Sequence, residues 1–193
     1  MSKEIVIENY SPEWPIVFQK LKSVYEQFAG DLVKEIHHVG STSVEGLASK
    51  PVIDIDLIIE SREALPQLIV ALEKIGYNYM GDQGIEGREA FRQQTERTPE
   101  DGSERVWPVH HLYACTCDNN AFQNHIKFRD YLRQHPGKAN EYGELKKQLA
   151  SADSRNRKLY VEKKTAFIIH ALREMGFDDV ALKTIIDQNK EKQ

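Results

Sequence analysis

Cysteine is nearly absent from this chain. Two of its 193 residues, Cys115 and Cys117, carry a thiol, and in a strand, residues two apart point to one face rather than toward each other. A disulfide framework is therefore excluded as the source of stability, and a reduced, cytoplasmic setting is expected. Long apolar runs are missing as well. Nothing approaches the roughly 20 residues that span a bilayer, so no membrane association is expected. The first residues, MSKEIVIENYSPEW, carry acidic side chains where a signal peptide needs a basic start and a long apolar stretch. Charge of one sign is also lacking. Lys and Arg number 26 against 30 Asp and Glu, a formal net charge of −4, which gives no general pull toward nucleic acid or anionic lipid. No internal repeat, low-complexity tract or Gly/Pro/Ser-rich linker divides the chain. What it does contain is 40% hydrophobic residues, with 9% aromatic, enough for one sizeable core.

The pattern of those residues sets out the elements. Ser11-Pro12 is a helix start, a hydroxyl followed by a first-turn proline. Val17, Leu21, Val24 and Phe28 then recur at helical spacing until Gly30. EIHHV reads as a short strand breaking at Gly40. In KPVIDIDLIIE, Ile53, Ile55, Leu57 and Ile59 share one face of a strand and Asp54 and Asp56 the other. Residues 63–75 form an amphipathic helix through Leu65, Leu68, Ile69, Leu72 and Ile75. Strands are expected around 77–94 and 105–117, with the polar loop TERTPEDGSER as a hairpin tip between them. From Asp118 onward the sequence reads helical, over about 119–134, 138–150, 155–175 and 179–190, with breaks at Pro136-Gly137, Ser151–Ser154 and Gly176. The fold class is α+β: a small mixed β-sheet flanked by helices, with a helical C-terminal cap. Residues 1–177 are read as one domain (sheet core about 32–117, cap about 119–177) and 178–193 as a C-terminal helix.

The chemistry concentrates between residues 37 and 59. Asp54 and Asp56 project from one side of a strand, and like charges at that range repel unless something neutralises them. Magnesium, with manganese as an alternative, suits a site of one or two carboxylates plus substrate phosphates. A merely solvated strand face is the competing reading. Gly40 and Ser41, followed by Thr42 and Ser43, form a glycine turn whose N–H groups and hydroxyls suit phosphate oxygens. Lys50, just before the Asp-x-Asp strand, and Arg88 and Arg92, of one strand parity, are candidate phosphate partners. Arg129 and Arg133 lie four apart on a helix face, and Lys163 and Lys164 lie among apolar positions, where a lysine also snorkels to solvent.

Histidines add a second set of candidates. His110 and His111 occupy opposite faces of a regular strand, so at most one meets the aspartates, as general base or metal ligand; His111 is the choice. By the same alternation His38, which shares parity with Gly40, is expected nearer the site than His37. The Cys-x-Cys pair lacks a partner motif at zinc-ligand spacing and reads as small core residues. Tyr10, Trp14 and Phe18 read as helix-to-sheet packing ahead of base stacking.

Val39-Gly40-Ser41, twelve residues, then Asp54-Ile55-Asp56-Leu57 resembles the signature of the nucleotidyltransferase superfamily related to DNA polymerase β. More narrowly, HVGSTSVEGLASKPVIDIDL, GYNYMGDQGIEGREAF, HHLYAC, FRDYLRQHP and YGELKKQLA running into YVEKKTAFI resemble the GrpB family over about residues 5–175. In some bacteria a domain of this type is fused to dephospho-CoA kinase. The resemblance implies a nucleotidyltransferase-like fold, with Gly40 and Ser41 contacting phosphate and Asp54 and Asp56 as metal ligands. It implies a magnesium-dependent transfer of a nucleoside monophosphate from an NTP to an acceptor that the sequence does not identify. Enzymes of the superfamily commonly carry a third carboxylate on a neighbouring strand. RVWPVHHLYACT has none, and Glu86 and Glu89 lie on the preceding hairpin arm. Two alternatives follow: a catalytically degenerate nucleotide- or metabolite-binding module of the same fold and, ranked last, metal-dependent hydrolysis through His111 or His38.

Overall fold

The computed structural model describes residues 4–177 and, beyond them, Leu182, Lys183 and Ile186. The elements are α1 (Glu13–Ala29), β1 (Glu35–Val39), β2 (Ile53–Ile59), α2 (Leu65–Glu73), β3 (Tyr77–Tyr79), β4 (Glu89–Gln93), β5 (His110–Thr116), α3 (Asn120–Gln134), α4 (Pro136–Ala152) and α5 (Arg157–Glu174). The sheet order is β1-β2-β5-β4-β3. Only β2 and β5 pair in parallel; the other neighbours are antiparallel. The fold is mixed α+β, a five-stranded mixed sheet flanked by helices.

Period-two alternation along β2 divides the molecule. Ile53, Ile55, Leu57 and Ile59 are buried and join Leu112, Ala114 and Phe91 on one sheet face. Trp14, Phe18, Leu21 and Tyr25 of α1 and Leu68 and Leu72 of α2 cover that face. Each such side chain contributes about 1.5–3 kcal/mol by leaving water. The other face carries Asp54 and Asp56, with α3, α4 and α5 on its side. A second cluster, Val44, Leu47, Tyr131, Leu132, Ala139, Tyr142 and Ala171, fastens the segment after Gly40 to these helices.

Several expectations shift. The buried face of α1 carries Trp14, Phe18, Leu21, Val24 and Tyr25, so Leu21 and Val24 of the expected stripe are buried and Val17 packs against them, whereas Phe28 is exposed. The face is turned toward Trp14, Phe18 and Tyr25, which places three aromatic rings in the core and so removes more apolar area from water than burying Phe28 would. The strand expected over 77–94 is two strands, β3 and β4, because MGDQGIEG supplies glycines with positive φ at 81, 84 and 87. TERTPEDGSER lies in the connection between β4 and its antiparallel neighbour β5, but the connection is longer than expected: β5 starts only at His110, after Pro108, which has no N–H for a ladder. Inside that connection Trp107 is buried and donates its indole N–H to the Pro99 carbonyl at 3.0 Å. The helix expected for 178–193 lies outside the described residues except at Leu182, Lys183 and Ile186, of which Leu182 packs with Ile169 and Leu172. No helix among the described residues is long and apolar enough to cross a membrane.

Candidate active site

β2 is an inner strand, so its two aspartates are flanked on both sides. Asp54 lies opposite Val39 of β1 and His111 of β5, and Asp56 opposite His37 and Tyr113. Each carboxylate holds one histidine. His111 Nδ1 is 2.8 Å from Asp54 Oδ1, and His125 Nδ1, from α3, is 2.8 Å from Asp56 Oδ2. Asp56 is completely buried, yet its Oδ1 has no hydrogen-bond partner. Burial pushes the Asp54 carboxyl up, but the hydrogen bond and charge of His111 outweigh it and leave the pKa below its ordinary value. With Nδ1 donating to a carboxylate, neutral His111 presents Nε2 as its acceptor nitrogen.

The turn between β1 and β2 presses on this pair. Gly40 has φ +69° and ψ −173°, a conformation open essentially to glycine alone. A Cβ at Gly40 would overlap the Asp54 carboxylate, lying 2.9 Å from its Cγ, so the backbone touches the acid only because no side chain intervenes. A 3₁₀ turn over Ser41–Ser43 follows. Two α3 arginines brace it: Arg133 donates to the Ser43 carbonyl at 3.1 and 2.7 Å through Nε and Nη2, and Arg129 to the His38 carbonyl at 3.2 Å.

The aspartate face opens into a cavity of about 830 Å³ between the sheet and α4–α5. Gly40, Ser41, Asp54, His111 and His125 line it, together with five basic residues: Lys50, Arg88, Arg92, Lys146 and Lys164. Arg88 is buried, its guanidinium 4.2 Å from the Tyr113 ring centroid, and its Nε and Nη2 have no hydrogen-bond partner. Lys50 and Lys164 approach the Tyr160 ring at 4.7 and 5.1 Å. Among the described residues no group of three or more His, Cys, Asp or Glu side chains is arranged to hold a metal ion. Asp54 and Asp56 could hold a hard cation only together with oxygens of a ligand or water.

Of the expected site residues, Gly40, Ser41, Lys50, Asp54, Arg88, Arg92 and His111 line one cavity; Asp56, buried, faces the same side of β2. Thr42 and Ser43 do not reach it. Thr42 Oγ1 donates to the Val52 carbonyl at 3.2 Å, and Ser43 Oγ to the Gly40 carbonyl at 2.6 Å. Both hydroxyls are thus spent on holding the turn. The expectation for His38 is overturned by register: it pairs with Ile55, stacks on Phe18 with centroids 4.7 Å apart, and bonds Thr42 at 3.0 Å. Its neighbour His37 shares the face of Asp56 and bonds Glu35 at 2.6 Å. His110 turns to the core side, against Tyr77 and the Pro108 carbonyl. Among the described residues no third carboxylate arrives: Glu89 accepts from Arg62 at 2.9 Å and Tyr79 at 2.6 Å, and Glu86 is exposed. Lys163 is exposed, while Lys164 enters the cavity wall.

Two residues went unread in the sequence. His125 lies four residues before Arg129, so the helix face read from Arg129 and Arg133 already ran through it. Lys146 stands in a charged run beside Lys147 and carries no periodic signal of its burial.

A family model described as GrpB protein matches residues 4–174. The chain belongs to the GrpB family. Glutamate-rich protein GrpB of Alkalihalophilus pseudofirmus is 32% identical over 173 residues, 89% of this chain and 96% of that protein. UPF0157 protein YqkA of Bacillus subtilis is 34% identical over 166 residues, and the match spans 86% of this chain but only 46% of YqkA. A 69-residue stretch, 34% of this chain and 17% of its match, is 36% identical to a dephospho-CoA kinase of Mycolicibacterium paratuberculosis. Among solved structures, the conserved protein GrpB from Enterococcus faecalis superposes with a TM-score of 0.73 at 35% identity, covering 92% of this chain and 98% of that one. The GrpB fold thus accounts for the sheet and cap together.

Proposed function

We propose that this GrpB-family chain is a magnesium-dependent nucleotidyltransferase, moving a nucleoside monophosphate from an NTP to an acceptor with release of pyrophosphate. The observation that carries this reading is the meeting of Asp54 with the Gly40 turn on the floor of a cavity walled by basic side chains, with Asp56 buried beside it on the same face of β2. The donor set fits magnesium. Each aspartate has one oxygen on a histidine, which leaves Asp54 Oδ2 and the unpartnered Asp56 Oδ1 as hard ligands. Bound there, the ion would supply charge neutralisation for an in-line displacement. The chain's own residues would do the rest. The Gly40–Ser41 backbone, Lys50 and Arg92 would bind and orient the phosphates. His111, held by Asp54, would take the acceptor's proton at Nε2 as the acceptor oxygen bonds to the α-phosphorus and the bond to pyrophosphate breaks. The stretch shared with a protein named as a dephospho-CoA kinase supports a phosphate-bearing ligand.

The test is pyrophosphate release from labelled NTP and magnesium with cell extract as the acceptor source. Release by wild type and its loss in Asp56→Asn support transfer. A second reading is favoured by one observation: the site-facing positions of β5 are His111, Tyr113 and Cys115, with no carboxylate. On that reading the protein binds a magnesium nucleotide and senses it without turnover, and tight binding with no release is the result expected.

A further inference from the structure

A second cavity, of about 240 Å³, lies beside the first. Asp54, the Gly40–Ser41 turn, His125 and Lys164 border both, but the remaining walls differ in kind. The smaller cavity is completed by Ile85 of the β3–β4 loop, Phe128 and Leu132 of α3, Tyr142 of α4, and Ile168 and Leu172 of α5. Helical spacing gives it two unlike ends. On α3 the lining runs from His125 to Phe128 and Leu132, and on α5 from Lys164 to Ile168 and Leu172. Each stripe starts polar and turns apolar. The polar ends coincide, because the charges of His125 and Lys164 both act on the Asp54 carboxyl. The apolar ends coincide too, since Tyr131, beside Leu132, donates to Glu174, just past Leu172. Those ends lie two helical turns apart, about 11 Å.

This shape suits a ligand unlike a phosphate chain. Of the basic residues on the smaller cavity, Arg129 bonds Asp130 and the His38 carbonyl, Arg88 lies on the Tyr113 ring, and Lys164 approaches the Tyr160 ring. A dry cavity of about 150 Å³ lined by Leu, Ile and Phe takes up benzene, so 240 Å³ accommodates a substituted ring or a short branched chain. A nucleobase is held away from the α-phosphorus by its ribose, whereas an acceptor must bring its nucleophile to the carboxylates. The cavity ends on Asp54 itself.

We propose, resting on the transferase reading, that this second cavity holds the body of the acceptor, a small molecule with an aliphatic or aromatic body and a hydroxyl or amine at one end. The body packs between α3 and α5. The nucleophile projects past Asp54 toward His111 of the larger cavity, where it loses its proton as it bonds to the α-phosphorus and pyrophosphate leaves.

The test has two arms, both on the whole chain. Benzyl alcohol, one ring with one hydroxyl, is titrated into methyl-labelled protein and followed by NMR. It should shift the Ile85, Leu132, Ile168 and Leu172 methyl groups saturably, with a Kd of about 1 mM or tighter. The shift should persist with each common NTP and magnesium present, and glycerol should cause none. Ala121→Leu, on the same wall, should weaken benzyl alcohol about tenfold or more, with its melting temperature reporting that it folds. In the second arm the cell extract is split on a reversed-phase column, and the acceptor for pyrophosphate release should be in the retained fraction. An absent methyl shift in wild type, displacement by an NTP, unchanged affinity in folded Ala121→Leu, or an acceptor that is not retained would overturn the assignment. Benzyl alcohol bound beside an NTP, with no release from either fraction, would refute the transferase reading alone and leave the cavity as an apolar ligand site.

Discussion

Replacing Gly40 by alanine should damage both the stability of the chain and its aspartate pair. Two effects add. The first is conformational: at φ +69° and ψ −173° a residue with a Cβ costs about 1–3 kcal/mol. The second is steric, since the new Cβ would lie 2.9 Å from Asp54 Cγ and 3.0 Å from its Cβ. Backbone on one side and an inner strand on the other leave the carboxylate as the part that yields. Its rotation breaks the bond to His111, which, with side chains 53% and 31% exposed, contributes only about 1 kcal/mol after solvent screening. The sum is about 2–4 kcal/mol, which in a chain of this size lowers the melting temperature by about 4–16 °C. Gly46→Ala is the control. Gly46 has φ +77° but nothing within 4 Å of an added Cβ, so it carries the backbone strain without the collision and should lose less. Thermal unfolding of both variants, with the His111 imidazole followed by NMR, separates the two parts. Combining Gly40→Ala with Asp54→Ala should recover part of the loss. A Gly40→Ala protein that melts with wild type and keeps the His111–Asp54 bond would refute the reasoning.

Acid should unfold the protein through its core histidines. Burial holds His38 and His110 at about 4, below the ordinary 6.5. Between those values the unfolded chain binds protons that the folded one refuses, so stability is present above about 6.5 and is lost as pH falls toward 4, by up to about 1.4 kcal/mol per pH unit for each histidine. Urea midpoints from pH 7 down to 4.5 check this; a flat profile would count against it. Tyr77→Phe should cost about 2–4 kcal/mol, because it leaves two buried groups, the Tyr25 hydroxyl and the His110 ring, without their partner. Tyr25→Phe removes only the end of that chain and should cost less in the same denaturant assay.

The primary sequence by itself determined the α+β plan and the strand that carries the aspartate pair. Alternation of isoleucine and leucine with aspartate in IDIDLII admits only one arrangement with a buried face, and the glycine turn before it follows from local backbone chemistry. His111 followed from the same alternation, because strand parity is a local property. Tertiary structure decided what parity alone could not. Which of His37 and His38 faces the aspartates depends on the register of β1 against β2, and the pairing of His38 with Ile55 sends it to the core. Thr42 and Ser43 looked like phosphate ligands, but in the fold their hydroxyls donate to half-buried carbonyls of Val52 and Gly40. Packing of α1 kept Leu21 and Val24 in the core but turned the helix so that Tyr25 is buried and Phe28 exposed. His125 and Lys146 reach the cavity because α3 and α4 fold over the sheet face, which brings His125 to Asp56, distant in the chain. Local periodicity fixes which residues share a face; only the packing of those faces fixes which charges meet and which are stripped of water.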